Sequence, residues 1–151
     1  MLRERIAEET KQAMKAGDKP RLSALRLVSS AIKNLDIEGR AQGKEAAPDD
    51  QLMGVLQKLV KQRQESAELY DKGGRPELAA AERAEIEVIQ SFLPKQMGED
   101  EVNAAITTAI AKTGAAGMKD MGKVIAELRA SYAGQMDFGK ASALVKAKLA
   151  G

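Results

Sequence analysis

The stretch that most constrains this chain runs from Lys61 to Met97, KQRQESAELYDKGGRPELAAAERAEIEVIQSFLPKQM. Apolar residues recur with the helical period on both sides of Gly73-Gly74, so the segment reads as two long amphipathic helices folded back on each other. At roughly 100° per residue, Leu52, Val55, Leu56, Leu59, Arg63, Ser66 and Tyr70 share one stripe. Leu78, Glu82, Glu85, Ile86, Ile89 and Leu93 share another on the second helix. A hairpin turning at the two glycines sets Arg63 opposite position 84, between Glu82 and Glu85. A charge on an inward face is unfavourable unless it is paired. The expectation is a partly buried Arg63–Glu82/Glu85 ion cluster that fixes the hairpin register and carries no chemistry.

The rest of the chain has the same period, and no segment alternates like a strand. A first helix is expected over Leu2–Ala16, with Leu2, Ile6, Ala13 and Met14 inward, and Gly17 ending it. Asp18 is a good N-cap for a second helix carrying Pro20 in its first turn and burying Leu22, Leu25, Val28, Ile32 and Leu35. Gly39–Asp50 is polar and contains glycine, which predicts a mobile loop. Pro48, Asp49 and Asp50 open the third helix, and Pro76-Glu77 the fourth. Leu93-Pro94 is the main boundary, because proline disfavours helical geometry at the residue before it. Three shorter helices follow, over about Glu99–Lys112, Asp120–Tyr132 and Asp137–Ala150, the last capped by Asp137. The fold class is therefore all-α. Residues 1–94 form a four-helix bundle and residues 95–151 a three-helix bundle.

Composition removes whole classes of chemistry. The chain has no histidine and no cysteine, which excludes imidazole bases, Ser-His-Asp and Cys-His nucleophiles, disulfides, and the usual zinc and haem sites. No catalytic residue, metal site or cofactor is assigned. No apolar run approaches the roughly 20 residues that span a bilayer, and the N-terminus lacks the apolar core of a signal peptide. A cytoplasmic, membrane-free protein is the expectation. Net charge is +2, and it is unevenly spread: residues 1–94 hold sixteen basic and sixteen acidic side chains, residues 95–151 eight and six. That small C-terminal surplus is a weak pointer to an anionic partner.

Three features could carry function. The acidic clusters Glu8-Glu9, Asp49-Asp50 and Glu99-Asp100-Glu101 read as helix-terminal charges rather than a hydrolase centre, since two of them sit at helix starts. Lys19, Arg26, Lys33 and Arg40 recur every seven residues. Along a helix the first three make a row of about 21 Å that reads either as a phosphate track or as ordinary solvated charge. GAAGMKDMGK, Gly114–Lys123, runs into a helix start but lacks the strand and the Ser/Thr of a P-loop. Gly122 lies in the first helical turn, where glycine costs about 1 kcal/mol against alanine. Close approach of a ligand or helix–helix packing would each account for it. Lys119 and Lys123 share that turn, and Lys112 and Arg129 add charge to the same three-helix unit. With 3% aromatics, base stacking is a poor mode of RNA recognition here; shape and backbone contacts suit it better.

Several stretches together resemble the YqeY family, which shares a domain with the tail of one subunit of the aspartyl/glutamyl-tRNA amidotransferase. They are RLSALRLVSSAIKN (Arg21–Asn34), KQRQESAELYDKGGRPEL (Lys61–Leu78), ERAEIEVIQSFLPKQM (Glu82–Met97), KDMGKVIAEL (Lys119–Leu128) and GQMDFGKASALVKAKL (Gly134–Leu149). The resemblance implies two helical bundles, and a tail that holds the tRNA body while a different subunit releases ammonia from glutamine. It carries Gly122, Lys123 and Gly134 over as tRNA-facing positions, beside Lys112, Lys119 and Arg129. It also implies a family label of carbon–nitrogen ligase with glutamine as amido donor, exercised by the larger complex and not by this chain alone. Ser29-Ser30 and Lys33 lie on a plain amphipathic helix without the Gly-rich context of a Ser-Ser-Lys amidase. The expected function is a tRNA-binding adaptor of modest affinity that docks on amidotransferase subunits or an aminoacyl-tRNA synthetase. The alternative is a protein-interaction module with no RNA affinity of its own.

Overall fold

A computed structural model of the chain describes residues 1–150. Seven α-helices and no strand are present among them: α1 (Leu2–Ala16), α2 (Lys19–Ala41), α3 (Asp49–Lys72), α4 (Pro76–Gln90), α5 (Glu99–Thr113), α6 (Met121–Tyr132) and α7 (Phe138–Ala150). A 3-10 turn, Met118–Asp120, leads into α6. The fold is all-α. The backbone divides into two compact units, Met1–Pro94 and a second beginning at Lys95.

In the first unit, chain-local signals set the helix ends. Gly17 closes α1 in the left-handed conformation at φ 67°, which a side chain rarely adopts. Asp18 then accepts the Arg21 amide at 3.2 Å and caps α2. The α3–α4 hairpin turns through Gly74 at φ 72°, and the Arg75 amide closes the turn on the Tyr70 carbonyl at 2.8 Å. The core of the unit is built from Leu25, Val28, Leu52, Leu56 and Ile89, all fully buried. Burying a leucine or isoleucine side chain is worth about 1.5–3 kcal/mol, so these residues dominate the unit's stability.

Two inward assignments fail. Met14 is 54% exposed and Leu78 is 38% exposed. In each case a neighbouring alanine, Ala13 or Ala79, takes the buried position. These two helices approach their neighbours through small side chains, which leaves no room for the long one beside it.

The loop expected to be mobile is shorter than predicted and is fastened. α2 continues through Ala41 and α3 begins at Asp49, leaving residues 42–48 irregular. Arg3 grips the Asp36 carboxylate with two nitrogens at 2.8 Å each and donates a third bond to the Ala47 carbonyl at 2.8 Å. Asp36 in turn accepts the Ala47 amide at 3.1 Å. Planar guanidinium–carboxylate pairing of this kind gives direction as well as charge. The Arg3 bonds, with help from the Ala47 amide, hold the Asp36 carboxyl down at about 2.

The second unit has its own core of Ile106, Val124, Leu128 and Val145. α5 ends at Gly114, again left-handed at φ 67°. Asp137 accepts the Gly139 amide at 2.9 Å and the Lys140 amide at 3.3 Å, capping α7.

Candidate nucleic-acid interface

The glycine-rich segment between α5 and α6 is an ordered turn. The Asp120 amide bonds the Gly117 carbonyl at 2.9 Å, and the Asp120 carboxylate accepts the Ala116 amide at 3.0 Å. That second bond lowers the Asp120 pKa, with Lys123 and Lys119 adding to the effect against some desolvation. Asp120 therefore organises the turn and stays ionised. It also draws the Lys123 ammonium to 3.7 Å, an i,i+3 pair in which the lysine remains mostly exposed.

No side chain caps the first turn of α6. Gly122 stands on that turn, and a Cβ placed there would meet nothing within 4 Å. Of the two reasons offered for this glycine, helix–helix packing is thereby removed. Lys119 is exposed and enters no ion pair among the described residues. Lys119, Gly122 and Lys123 thus form one open, cationic helix start.

The other candidates sit differently. Lys112 donates to Glu127 at 2.7 Å across α5 and α6. That bond raises the lysine and lowers the carboxylate. The Arg129 guanidinium lies over the Phe138 ring, 5.4 Å from its centroid, bridging α6 and α7. Gly134 is buried in a positive-φ turn at 76°, with its carbonyl accepting from Gln96 Nε2 at 2.6 Å. Its inferred outward-facing role is corrected accordingly: the turn between α6 and α7 needs a residue tolerant of that φ. Two of the candidate cations, Lys112 and Lys123, are thus tempered by carboxylates, and the pairing with Glu127 has no local sequence signal.

In the first unit Arg63 pairs with Glu85, Nε to Oε2, at 3.0 Å. The two side chains are 18% and 28% exposed, so they are half-buried rather than core. Glu82 is half-buried one turn away. A second pair, Arg83 with Asp71, ties the hairpin nearer its tip. The row Lys19, Arg26, Lys33 and Arg40 is exposed along α2, and none of the four enters an ion pair among the described residues. No group of three or more Asp or Glu that could hold a metal occurs among the described residues. No helix there is long and apolar enough to cross a membrane.

The model of the Yqey-like protein family matches residues 3–149 of this chain. The chain belongs to the YqeY family. Its curated relatives include "Altered inheritance of mitochondria protein 41, mitochondrial" from three fungi. The Lachancea thermotolerans protein is 33% identical over 107 residues, 70% of this chain and 56% of the relative. The Vanderwaltozyma polyspora protein is 35% identical over 89 residues, 58% and 46% respectively. The Pyrenophora tritici-repentis protein is 26% identical over 108 residues, 70% and 58%. The YqeY chain thus spans about half the length of the curated relatives it matches. Their names overturn the cytoplasmic expectation, because these relatives are mitochondrial proteins. That expectation rested on the missing cysteines and apolar runs, which do not separate one reducing compartment from another.

Proposed function

We propose that this YqeY chain is a helical adaptor that binds the body of tRNA through the start of α6. The observation that carries the reading is the open turn, where Lys119 and Lys123 flank a glycine with no protein atom beside it. Phosphate oxygens fit such a position, because the backbone can come close and two lysines share the turn. Asp120 and Glu127 offset part of the charge, so the affinity of the chain alone is modest. On this reading, any glutamine-dependent carbon–nitrogen ligase activity belongs to a larger assembly of amidotransferase or synthetase subunits that the adaptor joins. The mitochondrial names of the relatives support a mitochondrial setting for it.

The test is fluorescence anisotropy of labelled total tRNA titrated with the chain at two salt concentrations, with duplex DNA as the control. Salt-sensitive binding that prefers tRNA supports the adaptor. No binding at low salt overturns it. Lys119→Ala combined with Lys123→Ala should flatten the salt dependence by about two in the logarithmic slope, one for each phosphate no longer neutralised.

A further inference from the structure

The first unit carries a surface that the tRNA reading does not use. An open groove of about 350 Å³ runs between α1 and α2. Its floor is Ile6 and Ile32, one end is closed by the Arg3–Asp36 pair, and Ile37, Lys33 and Arg40 form the α2 rim. Two further facts extend it. Met14 lies on the α1 face of Arg3 and Ala7 by helical spacing, and both Met14 and Ile37 are large apolar side chains held in solvent. Arg26 continues the row of Lys33 and Arg40 at seven-residue spacing, so the cationic rim is about 21 Å long. No carboxylate among the described residues forms an ion pair with that rim; Asp36, paired with Arg3, also feels the charge of Arg40 and offsets part of it.

We propose that the α1–α2 groove docks an acidic amphipathic helix of a partner protein. An apolar stripe on such a helix would cover Ala7, Met14 and Ile37, and acidic residues on one flank would meet Arg26, Lys33 and Arg40. A groove between two helices with a one-sided charge rim is the arrangement that a third helix fills. Its length matches about four helical turns. Charge complementarity selects an acidic partner. The exposed isoleucine and methionine select a protein over a phosphate backbone, which has no use for them. The inference stands independently of the tRNA reading, which concerns the other unit.

The experiment uses the full ¹⁵N-labelled chain and a synthetic peptide of about 16 residues, long enough for four helical turns. The peptide carries leucines at i, i+3, i+4 and i+7 spacing with glutamates on one flank. A shuffled peptide of the same composition is the control. The expected result is amide shifts confined to Ala7, Met14, Ser29, Lys33 and Ile37 with the patterned peptide alone. Lys33→Glu with Arg40→Glu should weaken binding by at least about tenfold, and Ile37→Ser by about threefold or more, with helicity unchanged. Because all three side chains are exposed, these variants leave the core intact. Equal binding of the shuffled peptide, shifts elsewhere, or no binding overturns the proposal. So does loss of total tRNA binding in the Lys33→Glu/Arg40→Glu chain without any peptide effect, which would make the row a phosphate track.

Discussion

The two units handle charge in opposite ways. In the first, four arginines are held in tertiary pairs, Arg3 with Asp36, Arg21 with Glu9, Arg63 with Glu85 and Arg83 with Asp71, while Arg26 and Arg40 stay exposed on α2. Two of these pairs join α1 to α2 and two join α3 to α4, so they set the register within each helix pair. In the second unit only Lys112–Glu127 bridges helices as an ion pair among the described residues, while Lys119 and Lys123 face solvent at a helix start. Where arginine pairs, its planar fork serves the scaffold; the outward contacts fall to Arg26, Lys33 and Arg40 on α2 in the first unit and to the lysines of the α6 start in the second. A count of charges would not distinguish these uses, since the net difference between the units is two.

The largest effect should come from the cores. Leu56→Ala in the first unit and Leu128→Ala in the second should each lose about 2–5 kcal/mol in urea titrations followed by circular dichroism. The second unit has the smaller core, so on warming Leu128→Ala should unfold its unit before Leu56→Ala does the same to the first. Equal tolerance in both would remove size as the distinguishing factor.

Next comes the scaffold role of arginine. Arg63→Ala leaves Glu85 half-buried without its partner and should cost about 1–2 kcal/mol, whereas Arg63→Met restores apolar packing and should cost less. If Arg63→Met folds normally yet loses binding to tRNA or to the acidic peptide, Arg63 belongs to a binding surface and the contrast between the units fails. Gly122→Ala should act in the other direction, raising stability by about 0.5 kcal/mol because the added methyl meets open space. The same variant should weaken tRNA binding. Stabilisation with unchanged binding would detach Gly122 from the interface.

The last test is the acid dependence of the Arg3–Asp36 clasp. Asp36 has its carboxyl lowered to about 2 in the folded chain, against an ordinary value of 3.8. The stability it contributes is fully present above the ordinary value and drains away as pH falls from about 4 toward 2. Thermal melts across that window should drop less steeply in Asp36→Asn than in the parent. Parallel curves would mean the clasp adds nothing measurable.

Much of the fold could be read from the residues, because its signals are local. Gly17, Asp18, Pro76 and Asp137 act within a few positions of themselves, and each marks a helix end where it should. Arg63 was legible for the same reason: a tight hairpin converts sequence position into register. The Arg3–Asp36–Ala47 clasp was not, since its members are separated by 33 and 44 residues. Met14 and Leu78 were misplaced because the width of a buried stripe depends on how near the neighbouring helix comes, which periodicity does not encode. At the candidate interface the lysines and glycine were visible, but Glu127, which engages Lys112, and the burial of Gly134 depended on tertiary packing.

The fastened segment 42–48 has a consequence for how the chain is destroyed. Residues 42–46 are exposed, and only Ala47 is drawn inward, by bonds to Arg3 and Asp36. A protease needs several residues of slack, extended backbone in its cleft, and here the slack is limited by the Arg3 and Asp36 bonds to Ala47 and by the Gly43 and Lys44 amides, which bond back to the Arg40 and Gly39 carbonyls. While the clasp is closed the cut site is foreshortened. Releasing Arg3 would loosen the C-terminal end of the segment, and a cut there would sever the chain between α2 and α3. Limited proteolysis of Arg3→Ala should therefore cut the 42–48 segment faster than the parent, although Arg3 lies outside the proposed α6 interface.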